Sequence, residues 1–357
     1  MRLRCKTMNE IDKVVKAKKT ILFVGNHFHS QTQNKNIWQE IPDRFLDLDF
    51  QVISTSHKEN RILRIIDMWW TIIRFRSSYN LAIVDVFSGP AFIWSYSSAI
   101  LLNLLQKKFI LVLRGGNLPA YAKKKPSRVK RILRKASAIA TPSHFLKESL
   151  KHFNHDIDVI PNPVDLRKFK FKMRHKLGLN LIWVRAFHRI YNPSLAPQVV
   201  AELVKEYPEI HLTMIGPDKG DGSLDKTIET LQSLNLEKNI EIVGKTPHYK
   251  IPDWLNKADI FINTTNVDNT PVSVLEAMSC GLGVVSTNVG GIPWLLKDKE
   301  DALLVPQNQS GAMANGILLL YKDPDFAGNL IKNAYEKVKD FDWSNVLPLW
   351  QKLIEKI

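Results

Sequence analysis

The chain has 357 residues, enough to bury the cores of two domains. Hydrophobic residues make up 45% and charged residues 24%, a composition that excludes a disordered chain. The net charge of +15 sits in the first half: residues 1–165 hold 27 Lys and Arg against 13 Asp and Glu, and the remainder 23 against 22. Two cysteines, Cys5 and Cys280, exclude a disulfide framework, carry no metal spacing and fit a reducing compartment. The charged N-terminus, with its first apolar run only from Ile21 to Val24, predicts no signal peptide. Phe92–Leu105 is the most apolar long segment, but serines and Asn103 interrupt it and it falls short of a membrane span. The expectation is a cytoplasmic protein, soluble or peripheral on the inner face of the cell membrane.

Ile21–Val24 predicts a strand running into the loop Gly25-Asn-His27-Phe-His29. Its histidines suit acid–base or phosphate contacts, and equally plain solvent exposure. A strand over Phe50–Ser54, a helix over Asn60–Arg76 and a strand over Leu81–Val86 follow. In that helix Ile62, Ile65, Ile66, Trp69, Trp70, Ile72 and Ile73 interleave with Arg64 and Arg74. Such a stretch can lie on an anionic membrane surface, although a basic helix packed through its apolar side is the commoner outcome. A helix over Ala91–Leu105 precedes a strand over Phe109–Leu113, which ends in Arg114-Gly115-Gly116. The glycines allow a ligand close to the backbone, and Arg114 can bind an anion. The densest basic run is Lys123–Lys135, and no nucleic-acid-binding motif accompanies it, so nucleic acid is not an expected partner.

Residues 166–179 are basic and read as a linker. The second half continues with a strand over Leu181–Val184 followed by Arg185 and Arg189. Strands over His211–Ile215 and Ile240–Val243 come next, the latter ending in Gly244-Lys245, and then a helix over Ile251–Lys257. Short strands at Ile260–Ile262, Val284-Val285 and Ala302–Val305, helices at Gly311–Tyr321 and Asp325–Val338, and an amphipathic tail over Trp343–Ile357 complete the chain. Strands alternating with helices imply an α/β fold of doubly wound parallel sheets.

The stretch from Asp259 to Pro293 carries the chemistry. It reads as strand, polar loop, short helix, glycine stop and strand. Thr270 is placed to cap a helix starting at Pro271, and Gly281 stands where a left-handed residue ends it. Asp268 and Glu276 frame the helix start, where unpaired amides attract an anion or sugar oxygens. Carboxylates accept but cannot donate, so the pair suits a ligand rich in hydroxyls. Ser273-Val-Leu-Glu276 also fits a capping box, and spacing alone leaves the two readings even.

Asp268-Asn-Thr-Pro271-Val-Ser-Val-Leu-Glu276-Ala-Met-Ser-Cys-Gly281, with Asn288-Val-Gly-Gly-Ile-Pro293 after it, resembles the donor-site signature of retaining glycosyltransferases of family 4. There two glutamates bracket seven residues, usually beginning Glu-Gly-Phe-Pro; here Asp268, Asn269 and Thr270 replace the first three. The resemblance implies a GT-B architecture, two Rossmann-like domains facing a cleft. It makes Glu276 the ribose ligand, gives the donor sugar to Asp268 and to the amides after Asn269, and counts Asn269, Thr270, Pro271 and Val272 among the donor-binding residues. Gly-Arg and a following lysine usually grip the donor diphosphate; Arg185 matches the arginine, Ile190 holds the lysine position, and Arg189 sits one residue early. Gly244-Lys245 would lie beside the base. Gly25, Gly115 and Gly116 would border the cleft, with Arg114 at or beside the place of a family histidine. Pro142-Ser143-His144-Phe145 and Val159–Asp165 resemble the last stretch of the first domain and the lead into the second.

Implied domains are 1–165 for the acceptor, 166–342 for the nucleotide-sugar donor, and 343–357 as a helix crossing back to the first. The expected activity is transfer of a sugar from a UDP- or GDP-type donor to a glycan or lipid-linked acceptor, in cell-envelope polysaccharide biosynthesis. No Asp-x-Asp pair stands at a strand end, so neither a metal nor another cofactor is expected; Asp47-x-Asp49 and Asp156-x-Asp158 read as preceding strands. The alternatives are a nucleotide-sugar epimerase of the same fold and a non-catalytic binding protein.

Overall fold

The computed structural model describes residues 19–25, 37–48, 50–56, 58, 60–153 and 156–357. Cys5, His27 and His29 lie outside these. Twelve strands form two all-parallel sheets. The first contains β1 (Thr20–Val24), β2 (Gln51–Thr55), β3 (Leu81–Val86), β4 (Lys108–Leu113), β5 (Ala138–Thr141) and β6 (Ile157–Val159), in the order β2-β1-β3-β4-β5-β6. The second contains β7 (Asn180–Val184), β8 (His211–Ile215), β9 (Ile240–Gly244), β10 (Ile260–Asn263), β11 (Gly283–Thr287) and β12 (Leu303–Val305), in the order β12-β11-β10-β7-β8-β9. This is the doubly wound α/β architecture that the alternating elements predict.

Strands covered on both faces read as continuous apolar runs, as β4 does, and successive side chains serve opposite layers. In the first sheet Leu22, Val24, Val84, Leu111 and Leu113 pack with the helices Arg61–Arg74, Phe92–Leu104, Pro126–Leu133 and His144–Leu150. The alternate row, with Ile21, Phe23, Ile83, Ile110 and Val112, packs with the helices Ile37–Leu46 and Trp343–Glu355. The chain therefore ends on its first sheet. Trp350 lies edge-on to Phe45 at 5.9 Å, and Lys356 Nζ is 3.2 Å from Asp158.

Residues 166–179 hold no helix or strand, yet they are not a solvated tether. Phe169, Leu177 and Leu179 are buried, and so is Arg174, which donates to the carbonyls of Ala258, Cys280 and Gly281 at 3.1, 2.6 and 2.8 Å. The segment is riveted to the second half through one cation. Two other expectations need correction. Asp158 lies inside β6 rather than before it. The helices Leu195–Leu203 and Ser223–Ser233 leave little trace in the sequence, the first because Pro197 interrupts its pattern.

Strand order reverses between β1 and β3 in one sheet and between β10 and β7 in the other. Chains leaving neighbouring strands in opposite directions open a crevice at the carboxyl edge, where such sheets bind ligands.

Candidate active site

Arg185 follows β7 and the Thr264–Pro271 loop follows β10, so both stand at the reversal of the second sheet. The Arg185 amide donates to Ile215 at 3.0 Å, its guanidinium lies 4.8 Å from the Tyr191 ring centre, and one terminal nitrogen pairs with Asp268. Both partners are mostly buried. Burial pushes the Asp268 carboxyl above its usual value, outweighing the Arg185 charge and the Asn269 amide 2.9 Å away. Several buried polar atoms here have no hydrogen-bond partner, among them Arg185 Nε, Asn266 Oδ1 in the loop, Asn162 Oδ1 against it and Ser273 Oγ. An orphaned buried donor costs about 1–3 kcal/mol, so Arg185 Nε marks a place where a ligand acceptor would be welcome.

The loop keeps its path because glycines stand beneath it. A Cβ on Gly290, whose φ is +55°, would sit 2.4 Å from the Asp268 carbonyl oxygen, and one on Gly291 would sit 2.1 Å from that of Asn269. With hydrogens instead, the Gly291 amide reaches the Asp268 carbonyl at 3.0 Å.

The helix starts at Val272, one residue later than expected, with Pro271 as an extended N-cap that offers no side-chain bond. Thr270 does not cap it, since Pro271 holds the N-cap place, and its hydroxyl donates instead to the Pro142 carbonyl at 3.3 Å. Nor is there a capping box, since Ser273 lies inside the helix and Glu276 points away from its own backbone. Gly281, at φ +73°, follows the C-cap as expected. Glu276 is 4% exposed and meets His248 Nε2 at 2.6 Å through one oxygen. Burial pulls the His248 pKa down, but the hydrogen bond and charge of Glu276 win, leaving it above its ordinary value.

The first sheet's carboxyl edge closes on this loop. Asn269 Nδ2 donates to the Arg114 carbonyl at 3.3 Å, Ser143 Oγ bonds to Asn269 Oδ1, and Asn162 Nδ2 donates to the Thr270 carbonyl at 2.8 Å. Gly115 and Gly116 do allow close approach, but protein makes it. A Cβ on Gly116 would lie 3.0 Å from the Asp268 carbonyl carbon, and one on Gly115 3.0 Å from the Ser88 nitrogen. Arg114 Nε pairs with Asp85, both side chains being under a tenth exposed. The Arg114 side chain is thus held against Asp85 at the first sheet's carboxyl edge. Its charge is engaged, and its carbonyl fixes the facing loop.

The remaining predicted residues lie further out. Gly25 follows β1 at the first sheet's reversal, bordering a small cavity with Asp85, Phe87 and Trp94. Gly244 turns with φ +77° and accepts the Gly216 amide at 2.9 Å; Lys245 beside it is exposed. Arg189 is exposed too, its carbonyl accepting from Asn266 Nδ2 at 3.3 Å. A wide depression of about 670 Å³ lies off β11 and β12, lined by Asn266, Asn288, Gly290 and Gln307 but by neither Asp268 nor Glu276. Among the described residues no three His, Cys, Asp or Glu side chains are grouped to hold a metal. His248 was not legible as a site residue: a lone histidine 28 positions from its partner leaves no spacing signal.

Residues 168–337 match the family model for glycosyl transferases group 1, and residues 42–168 match that for glycosyltransferase family 4. The chain belongs to this glycosyltransferase family. It is 25% identical to a D-inositol 3-phosphate glycosyltransferase of Arthrobacter sp., over 70% of this chain and 63% of that one. It is 26% identical to the putative teichuronic acid biosynthesis glycosyltransferase TuaC of Bacillus subtilis, over 68% and 62%. The match thus spans less than two thirds of these relatives. Among solved structures, the chain superposes on sucrose-phosphate synthase from Thermosynechococcus elongatus with a TM-score of 0.77 at 16% identity, covering 95% of this chain and 99% of that one. Anabaena Alr3699/HepE in complex with UDP gives 0.72 at 15% identity, over 95% and 99%. These confirm the GT-B fold.

Proposed function

We propose that the protein moves a sugar from a UDP- or GDP-type donor to a glycan or lipid-linked acceptor, with retention at the anomeric carbon, in cell-envelope polysaccharide assembly. The observation that carries this reading is Arg185: a buried guanidinium at the strand-order reversal, only partly engaged by Asp268, with an unpartnered Nε. Residues 166–342 hold the donor. A leaving diphosphate needs such a fixed cation, because charge builds on it as the sugar departs. Arg189, on the same turn, is the second cation, and Gly244-Lys245 borders the base. Glu276, oriented by His248, accepts from the ribose, while Asp268 accepts from the sugar hydroxyls and the amides after Asn269, those of Thr270 and Val272, donate to the sugar oxygens. Residues 1–165 hold the acceptor beside Gly25, Gly115 and Gly116.

In the reaction the bond from the anomeric carbon to the β-phosphate oxygen breaks. The acceptor oxygen bonds to that carbon on the same face, and its proton passes to the departing phosphate. Arginine supplies the cation, so no metal is assigned. Support for the envelope role comes from the likeness to TuaC, whose name places that protein in teichuronic acid biosynthesis.

Incubation with a panel of radiolabelled UDP- and GDP-sugars and a membrane glycolipid extract tests this. Label on acceptor is expected. Release of free epimer, or binding without turnover, would overturn it.

A further inference from the structure

The helix Arg61–Arg74 has two apolar sides. Met68, Thr71 and Ile72 face the first sheet's core, together with the Arg64 side chain, which lies over the Trp94 ring at 4.9 Å. The opposite side carries Ile62, Leu63, Ile66, Trp69, Trp70 and Ile73. Ile62 is 69% exposed and Trp70 60%. At 3.6 residues per turn these six cover roughly a third of the circumference as one stripe. Trp69, whose indole N–H donates to Ser97 Oγ at 3.1 Å, is partly covered by the neighbouring helix, and all six stay at least two-fifths exposed. Core packing explains the first stripe and leaves the second without a partner, and a contiguous exposed apolar face of this kind marks an interaction surface.

Charge says what the partner is. From Val86 to Lys147 the chain contains no Asp or Glu. Within that span the helix Pro126–Leu133 and its flanks expose Lys123, Lys124, Lys125, Arg128, Arg131 and Arg134, and none has an ion-pair partner among the described residues. This helix lies in the same layer as the apolar one, joined to it by the helix Phe92–Leu104, which touches both. Arg61, Arg74 and Arg76 are exposed at the ends of the apolar stripe. Tryptophans and isoleucines ringed by uncompensated cations match the acyl boundary of a bilayer below a layer of anionic headgroups. Among the described residues no helix is long and apolar enough to cross a membrane.

We infer that this layer of the first domain docks on an anionic lipid surface, with the outer stripe of Arg61–Arg74 inserted at the acyl boundary and the Lys123–Arg134 cations on the headgroups. Two weak signals are both required, since a shallow apolar stripe or a basic patch alone holds a protein only transiently. The layer also borders the cavity beside Gly25 and Asp85, which Met68 and Trp94 help to line. Docking would therefore bring a lipid-borne acceptor to that edge, a consequence that rests on the proposed function, whereas the docking itself does not.

The test uses the full chain with phosphatidylcholine vesicles, with and without about a third phosphatidylglycerol, at about 0.1 and 0.5 M salt. Co-sedimentation with the anionic vesicles and release at the higher salt are expected. Ile66→Ser/Trp70→Ser/Ile73→Ser and Arg128→Glu/Arg131→Glu/Arg134→Glu should each weaken binding about tenfold or more. All six side chains are exposed, so the melting temperature should hold, which checks folding. No sedimentation with anionic vesicles overturns the inference, as does an apolar-stripe variant that binds like the parent. So does a dimer in solution that the stripe variant abolishes while vesicles capture nothing, because the stripe then belongs to a second copy. Sugar transfer measured on a soluble acceptor analogue would survive all three, so the two readings fail separately.

Discussion

Replacing Glu276 by alanine isolates the nucleotide-binding part of the proposal. One carboxylate oxygen is occupied by His248 at 2.6 Å, which leaves the second, and the free lone pairs of the first, for hydroxyl donors. Each hydrogen bond to a charged acceptor contributes about 1.5–3 kcal/mol, and the two hydroxyls of a ribose share one carboxylate, so the loss is less than double that. An expected cost of about 2–4 kcal/mol corresponds to roughly 30- to 1,000-fold in affinity for the preferred nucleoside diphosphate. Calorimetry should be run with that nucleotide and its 2′,3′-dideoxy analogue on the parent chain and on Glu276→Ala. The parent should lose affinity for the dideoxy form, and the variant should lose nothing further. Glu276→Gln keeps a partner for His248 and should fall between. If the dideoxy penalty persists undiminished in Glu276→Ala, the ribose is held elsewhere and the donor assignment fails.

Other consequences follow from the same contacts. His248 has a folded pKa above its unfolded value of about 6.5, so its contribution to stability is complete below that value and fades as pH rises through the folded one. The stability gap between the parent and His248→Gln should therefore shrink from about pH 6 to pH 8.5 in urea melts, and a gap that is constant with pH would refute the pair. Arg174→Met removes the cation that holds Ala258, Cys280 and Gly281 carbonyls and should cost about 3–5 kcal/mol, read as a lower urea midpoint at constant slope; a loss below 1 kcal/mol would refute its structural role. Excess EDTA should leave sugar transfer unchanged, because arginine carries the leaving-group charge in the proposal; abolition restored by a divalent ion would reverse that point.

How much of this was legible in the sequence depends on how local each contact is. The strand–loop–helix unit around Asp268 and Glu276 announced itself because apolar runs, Pro271 and Gly281 are neighbours in sequence, and elements misplaced by a residue still fell in order. The helix start slipped by one because Pro271, with extended backbone angles, takes the N-cap place, while Thr270 reaches across to Pro142, 128 positions away. Arg114 looked like an anion-binding residue because β3 and β4 bring Asp85 beside it only when the sheet forms. The helix Arg61–Arg74 shows the opposite limit. Its apolar residues were legible as a set, and nothing local says which of them the core will take.

Three basic groups of the site, Arg185, Arg114 and His248, stand against three carboxylates, those of Asp268, Asp85 and Glu276. At a buried edge this pairing is obligatory, since an uncompensated ion there costs several kcal/mol. The site is thus assembled but internally neutralised, and on the proposed assignment ligand binding is an exchange of partners. A diphosphate oxygen can replace Asp268 on Arg185 and satisfy the orphaned Nε, but it releases a buried carboxylate that then needs donors of its own. Sugar hydroxyls supply those donors. Only a molecule carrying both parts on one scaffold completes the exchange without leaving an unpaired charge. On that assignment, discrimination for an intact nucleotide sugar over its fragments follows from burying the Arg185–Asp268 pair at the sheet reversal.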